Sequence, residues 1–152
     1  MAVNLEGVFL GTKHAIRVMR LSGRGGSIVN VASVSGIKAQ AQASAYCASK
    51  AAVIMFSKAA ALECLGMRQP IRINSVSPAG VKTPMWKTMP FFQELMAKEG
   101  SEEAAFQALA QSAASGRWAE PEEVASAILY LASDESSFVT GTNLLFDDGT
   151  TA

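Results

Sequence analysis

The chain has 152 residues, of which 49% are hydrophobic and 17% charged, and its formal net charge is zero. This length fits one domain, and the composition can form a core, which excludes a disordered chain. A neutral chain without runs of like charge gives no indication of a nucleic-acid or membrane partner. The two cysteines, Cys47 and Cys64, do not have metal-site spacing and are too few for a disulfide framework. We therefore expect reduced thiols, a cytoplasmic protein and no metal site.

Targeting segments are not expected. No apolar run is predicted to be long enough to span a bilayer. The first residues, "MAVNLEGVFLGTKHAI", do not follow the pattern of a signal peptide, because no basic segment precedes the apolar stretch and no cleavage-like site follows it.

The first half of the chain predicts a helix, a strand and a second helix. Apolar side chains at helical spacing predict a helix from about residue 3 to residue 19, which "LSGRGG" interrupts. Residues 27–33, "SIVNVAS", are short, β-branched and apolar, as expected of a buried strand. An alanine-rich helix is predicted to begin at Ser44 and to end near Gly66.

The second half predicts two more strands. Residues 71–77, "IRINSVS", predict a strand that Pro78 stops, and residues 79–118 predict a loop with one or two helices. Pro121 and the acidic residues around it are typical of a helix start. Apolar positions predicted to share one face of that helix are Val124, Ile128, Leu129 and Leu131. The ending "GTNLLFDDG" predicts a third short strand.

Alternating strands and helices predict an α/β fold with a parallel sheet covered on both faces. In such sheets, ligands bind beyond the carboxyl ends of the strands. Ser33 ends the first strand, "SPAGVKTP" follows the second, and Tyr46 opens the helix after the first. We therefore expect these features to gather at one edge of the sheet.

Tyr46 and Lys50 are four residues apart, which places them on one face of the predicted helix. A free phenol has a pKa near 10, and an adjacent ammonium favours the phenolate, so the pair could exchange a proton with a substrate. A hydroxyl such as that of Ser33 could hold the substrate oxygen meanwhile. The alternative is a surface pair whose stems cover apolar neighbours.

Several motifs in order resemble the C-terminal half of a short-chain dehydrogenase/reductase. They are "NLEGVFLGTKHAI", "GGSIVNVASVSG", "SAYCASKAAV", "IRINSVSPAGVKTPM" and "EPEEVASAILYLASDESSFVTGTNLLFDDG". The resemblance covers the chain except for a variable stretch, residues 86–117. It implies part of a doubly wound, Rossmann-like parallel sheet with about three strands and flanking helices. It also implies an NAD(P)-dependent oxidoreductase that interconverts an alcohol and a ketone or aldehyde by hydride transfer.

The resemblance implies four catalytic residues. The family's Tyr-x-x-x-Lys motif matches Tyr46 and Lys50, its serine matches Ser33, and its Asn-x-x-Gly motif matches Asn4 and Gly7. Tyr46 is then the general acid–base, and Lys50 lowers the phenol pKa and binds the nicotinamide ribose. Ser33 steadies the reacting oxygen, and Asn4 holds a water behind Lys50. Two local roles remain open: a backbone hydrogen bond for Ser33 and a helix cap for Asn4.

The stretch from Pro78 resembles the family's loop at the nicotinamide end, so Tyr46, Lys50 and this loop are the expected cofactor contacts. Val81 would offer backbone groups to the carboxamide, and Thr83 would reach the carboxamide or the phosphates. The family usually has Pro-Gly where this chain has Pro78 and Ala79, and Gly80 is the expected site of any turn with positive φ.

Apolar side chains in the variable stretch have three open interpretations. They line a substrate pocket, belong to the core, or form an oligomer contact. They are Met85, Trp86, Met89, Phe91 and Phe92. The expected substrate contacts are Ser33, Met85, Trp86 and Met89.

The family's dinucleotide-binding half has no counterpart in these residues. No Gly-x-x-x-Gly-x-Gly turn follows a strand, and no Asn-Asn-Ala-Gly precedes Asn4. The resemblance therefore implies that residues 1–152 are the catalytic and substrate-binding half of one domain. The expectation is a fragment that is inactive alone, or a non-catalytic remnant that acts as a folded oligomerising module. The 27–33 strand would have an unpaired edge, which two chains could cover by pairing these strands.

Overall fold

A computed structural model describes residues 1–111, 113 and 115–152. In this part of the chain, one three-stranded parallel sheet has the order β1-β2-β3. Its strands are β1 (Gly26–Val31), β2 (Ile71–Pro78) and β3 (Asn143–Phe146). The α-helices are α1 (Val8–Ser22), α2 (Ser44–Gly66), α3 (Pro90–Glu99), α4 (Glu102–Ala110) and α5 (Pro121–Ala132). A π-helical segment, Ala2–Gly7, precedes α1, and short 3-10 turns lie at Val34–Gly36, Pro84–Thr88 and Asp134–Ser136.

These elements confirm the predicted α/β class and its parallel sheet. The bounds of α2 are as predicted, and α1 extends to Ser22, where Gly23 adopts a left-handed conformation (φ 67°) and ends it. Strand β2 includes Pro78, which pairs with Phe146 at the end of the ladder. The strand before Ser33 is shorter than predicted, because Ser33 already caps the next turn.

Helix α2 and strand β2 form the centre of the core. Buried side chains of α2, including Ala61 and Cys64, pack against Ile71 and Ile73 of β2. Met19 of α1 packs against the same cluster. Strand β2 is buried along most of its length, as expected of a central parallel strand.

Strand β1 forms an edge of the sheet in the described part of the chain. The Gly26 amide donates to the Pro70 carbonyl (3.0 Å) and the Ala32 amide to the Val76 carbonyl (2.8 Å). Since backbone groups alternate along a strand, even-numbered residues face β2 and odd-numbered ones face away. The outward-facing backbone groups belong to Ser27, Val29 and Val31. In the described residues, no strand pairs with this side of β1, and the Val31 carbonyl accepts a hydrogen bond from Lys50.

Helix α5 begins with a capping box between Glu120 and Glu123, with Pro121 in its first turn. The Arg117 guanidinium contacts both carboxylate oxygens of Glu123 (2.7 and 2.9 Å) and lowers the pKa of that carboxyl to about 2.

The predicted apolar face of α5 is partly wrong. Val124 and Leu131 are buried, whereas Leu129 is 68% exposed. Residues 124 and 131 are two turns apart on one face, but residue 129 points well away from them at 100° per residue.

The membrane expectation also needs a correction. Helix α2 has 23 residues and a mean hydropathy of 1.2, which meets the length and composition of a membrane span. The same test admits core helices of globular domains, and α2 contributes Val53, Ala61 and Cys64 to the core beside the sheet. One side of α2 therefore belongs to the core, while Met55 and Leu62 of the same helix are 65% and 68% exposed.

Candidate active site

Ser33 lies two residues after the end of β1, at the carboxyl edge of the sheet. Its backbone is extended, and its Oγ accepts a hydrogen bond from the Ser35 amide (3.2 Å), which caps the 3-10 turn Val34–Gly36. The residue is 9% exposed. Ser33 therefore makes the local hydrogen bond to a backbone amide that was considered from the sequence. Its hydroxyl lies at the carboxyl edge of the sheet.

The turn after Ser33 packs directly on the backbone of α2. A Cβ at Gly36 would lie 2.7 Å from the carbonyl carbon of Lys50 and 2.8 Å from the amide nitrogen of Ala51. Real Cβ atoms do not approach backbone so closely, so only glycine fits here without a shift. This contact determines how far the Ser33 turn lies from the Lys50 turn.

Tyr46 and Lys50 lie together in the first turns of α2. Lys50 Nζ is 5.7 Å from the centroid of the Tyr46 ring and donates a hydrogen bond to the carbonyl of Val31, the last residue of β1 (2.9 Å). Burial lowers the pKa of Lys50. The Tyr46 side chain is 39% exposed, so its phenol is accessible to a small molecule at this edge.

Asn4 lies within the π-helical segment Ala2–Gly7 and is half-buried. The cap of that segment is Met1 and the cap of α1 is Gly7, so the helix-cap role considered for Asn4 is wrong. Leu5 packs against the cluster that contains Ala32, so the segment lies beside the end of β1. Within the described residues, no hydrogen bond joins Asn4 or Ser33 directly to Tyr46 or Lys50.

The segment after β2 is held by backbone pairing. Gly80 and Lys82 pair with Ala119, through an Ala119 amide to Gly80 carbonyl bond and a Lys82 amide to Ala119 carbonyl bond (both 2.9 Å). Gly80 does not have a positive φ, so the expectation that it absorbs such a turn is wrong. Glycine is needed for another reason: a Cβ there would lie 2.5 Å from the Trp118 ring.

The variable stretch divides into core and surface side chains. Phe92 is fully buried, and Trp86 and Met89 pack against its cluster, whereas Met85 and Phe91 are 54% and 49% exposed. The core interpretation is therefore correct for Phe92. The Trp86 indole Nε1 donates a hydrogen bond to the Val81 carbonyl (2.8 Å). Thr83, which lies between these two residues in the sequence, is half-buried.

The fit of a nicotinamide dinucleotide can be tested against these residues. An ammonium at the end of β1, an accessible phenol and the segment after β2 suit the ribose and nicotinamide end. The sequence offers no Gly-rich strand–helix turn for the pyrophosphate. The residues present therefore fit one end of the cofactor.

The parallel α/β sheet with its polar groups at the carboxyl edge defines the Rossmann-like class. A family model described as enoyl-(acyl carrier protein) reductase matches residues 1–151. The NADP-dependent (R)-specific alcohol dehydrogenase of Lentilactobacillus kefiri is 40% identical over all of this chain and 56% of its own length.

Solved structures of dehydrogenases have the same fold as this chain. A short-chain type dehydrogenase/reductase from Mycobacterium marinum is 36% identical, with a TM-score of 0.79 over 98% of this chain and 54% of its own. A 4-hydroxyisoleucine dehydrogenase complexed with NADH is 32% identical, with a TM-score of 0.74 over 98% of this chain and 56% of its own. The chain belongs to the short-chain dehydrogenase/reductase family. It spans about half the length of these relatives.

Two neighbours of the candidate residues were not predicted from the sequence. Gly36 packs against Lys50, and Trp118 packs against Gly80. Gly80 stood out as a possible turn residue and Gly36 was not singled out, and nothing in the sequence indicated which backbone or ring each one would meet.

Proposed function

We propose that this chain is the catalytic and substrate-binding half of an NAD(P)-dependent oxidoreductase that interconverts an alcohol and a ketone or aldehyde. The observation that carries the proposal is the position of Lys50. Its ammonium lies at the end of β1 beside the Tyr46 ring, and its backbone lies against the turn that follows Ser33. Family membership supports the reaction class.

Each of the four residues has a role in this proposal. Tyr46 takes the hydroxyl proton of the alcohol during oxidation and returns it to the carbonyl oxygen during reduction. Lys50 supplies a positive charge beside the phenol, with its Nζ 5.7 Å from the centroid of the Tyr46 ring. Ser33 holds the reacting oxygen by a hydrogen bond, and Asn4 holds a water that relays protons behind Lys50. The nicotinamide, when bound, accepts or supplies the hydride.

The cofactor contacts proposed for this chain lie at the nicotinamide end. Lys50 and Tyr46 contact the ribose, while the backbone of Val81 and the side chain of Thr83 face the carboxamide. Pro78 and Gly80 shape the same segment. NAD and NADP both fit, since what distinguishes them in this family lies outside the matched motifs. The substrate is a small alcohol or carbonyl compound that contacts Ser33 and the exposed Met85, with Met89 and Trp86 behind it.

We further propose that the 152-residue chain alone does not turn over substrate, because no turn in its sequence cradles a pyrophosphate. Calorimetric titration with NADH and NADPH tests binding, and we expect none at cofactor concentrations that saturate relatives. Tight binding would contradict this proposal.

A chimera tests the function itself. The chain is joined behind the part of the L. kefiri alcohol dehydrogenase that its match does not cover. Dinucleotide reduction with secondary alcohols is then followed by absorbance. We expect alcohol-dependent turnover in the chimera. A chimera that folds and binds dinucleotide, yet is inactive towards alcohols and ketones of varied size, would contradict the proposed function and favour a non-catalytic remnant.

We propose that isolated chains self-associate. Within the described residues, no strand pairs with the outward edge of β1. Helices α1 and α2 expose large apolar side chains such as Val18 (65%), Leu21 (79%), Met55 (65%) and Leu62 (68%). Sedimentation over a concentration series should show a dimer or larger species, and a compact monomer throughout would contradict the idea.

Two variants distinguish the surfaces that could pair. Val29→Pro removes an outward-facing amide without removing a bond to β2, so it should dissociate an assembly formed by β1 edges. Leu62→Lys should instead dissociate an assembly formed by the helices. Val29→Thr serves as the control for the strand variant, because threonine keeps the amide and suits a strand.

A further inference from the structure

Both tryptophans of the chain lie against the segment Pro78–Thr83. The Trp118 ring lies on the backbone of Gly80, because a Cβ added there would be 2.5 Å from two ring carbons. The Trp86 and Trp118 rings are 4.7 Å apart, and the next residue after Trp118 pairs with Gly80 and Lys82. The segment therefore packs against Trp86, Trp118 and Ala119, which follow it in the chain.

Trp86 makes a second kind of contact with the same segment. Its Nε1 donates to the Val81 carbonyl at 2.8 Å, a short and well-formed hydrogen bond. The Trp86 ring also packs on the buried cluster of α3 and α4, with ring centroids 6.5 Å from Phe92. One side chain thus joins the backbone of Val81 to the core of the helix pair.

Lys82, the residue after Val81, is held by two ion pairs. Lys82 Nζ lies 2.9 Å from Glu120, the cap of α5, and 3.3 Å from Glu103 in the first turn of α4. The Lys82 side chain is 23% exposed, and its partners raise its pKa, so it stays charged at neutral pH. Val81 therefore lies between two anchored neighbours, Gly80 and Lys82, and its carbonyl has an anchor of its own in Trp86.

We propose that Trp86 is a positioning residue that holds the Val81 peptide group in the orientation that the nicotinamide end of the cofactor requires. The inference rests on the proposed function, in which the Val81 backbone faces the carboxamide. The indole N–H occupies one lone pair of the Val81 oxygen and fixes the peptide plane, while the second lone pair is left for another donor. Trp86 therefore acts through the backbone of Val81, in addition to lying behind the substrate.

Amide hydrogen exchange on the chain without dinucleotide tests this role. Trp86→Phe keeps an aromatic ring in the cluster and removes the N–H donor. We expect the amides of Lys82 and Ala119 to exchange roughly 3- to 10-fold faster, the effect of one lost hydrogen bond, relative to the sheet amide of Ala32. Phe106→Leu is the matched control, because Phe106 packs 5.6 Å from the Trp118 ring without donating to Val81.

The outcomes are distinct. Faster exchange at Lys82 and Ala119 in Trp86→Phe, with the control near wild type, supports the role. Unchanged exchange, or equal acceleration in both variants, overturns it, because cluster packing alone would then hold the segment.

In the chimera, Trp86→Phe should raise KM for the dinucleotide roughly 3- to 10-fold with a smaller change in kcat. An unchanged KM would contradict a role in cofactor positioning. An inactive wild-type chimera would contradict the proposed function. The exchange measurement tests separately whether Trp86 holds the Val81 peptide group, because it does not depend on turnover.

Discussion

Tyr46→Phe is expected to lower the rate of alcohol oxidation by the chimera about 10²- to 10⁴-fold, the usual contribution of a positioned general acid–base. Phenylalanine keeps the ring beside Lys50 Nζ and removes only the hydroxyl that exchanges the proton. The fold should survive, since the Tyr46 side chain is 39% exposed. Turnover is measured under saturating dinucleotide, with circular dichroism to verify folding.

Tyr130→Phe is the matched control for this prediction. Tyr130 is the other tyrosine of the chain and has a similar exposure (41%), but it lies on α5. Its loss of a hydroxyl should leave the rate unchanged. The role proposed for Tyr46 would be wrong if both variants kept wild-type turnover, or if both lost it to the same degree.

Gly36→Ala is expected to have the largest combined effect on stability and activity. The added Cβ would meet backbone atoms of Lys50 and Ala51 at 2.7 and 2.8 Å, and a helix backbone cannot move aside as a flexible side chain can. Overpacking of this kind lowers the free energy of unfolding by about 1–3 kcal/mol. The turn after Ser33 would also shift away from Lys50, and a displacement of about 1 Å can cost about 10²-fold in rate.

Denaturant unfolding of the chain and turnover of the chimera measure the two effects of Gly36→Ala. The control is Gly66→Ala at the end of α2, where an added Cβ would meet nothing within 4 Å. Alanine is the better helix former, so this control should be neutral or slightly stabilising. Equal stability and equal activity of the Gly36 and Gly66 variants would show that the close contact does not constrain the site.

Local signals in the sequence were sufficient for most elements. Helix α2 begins at Ser44 and ends at Gly66 as predicted, because an alanine-rich run has high helix propensity. The three strands were recognised as short apolar runs bounded by turn residues, and their parallel order followed from the helices between them. The same local spacing placed Tyr46 and Lys50 together, and they lie together in the structure.

Errors arose at three positions. Leu129 was wrongly grouped with Val124 and Leu131, although at 100° per residue it lies on another side of the helix, where it is exposed. Gly80 was expected to supply a positive φ, yet its lack of a side chain accommodates a ring from a residue far along the chain. Asn4 was considered as a helix cap, but the helical segment begins before it.

The sequence by itself determined the α/β class, the family resemblance and the helix that carries Tyr46 and Lys50, because periodicity and motif spacing are properties of neighbouring residues. Only the tertiary structure decided that Lys50 reaches the Val31 carbonyl, that Gly36 lies on the backbone of α2 and that Trp86 holds Val81. Those contacts join segments that are distant along the chain, and they depend on how closely the packed elements approach one another, which local preferences do not encode.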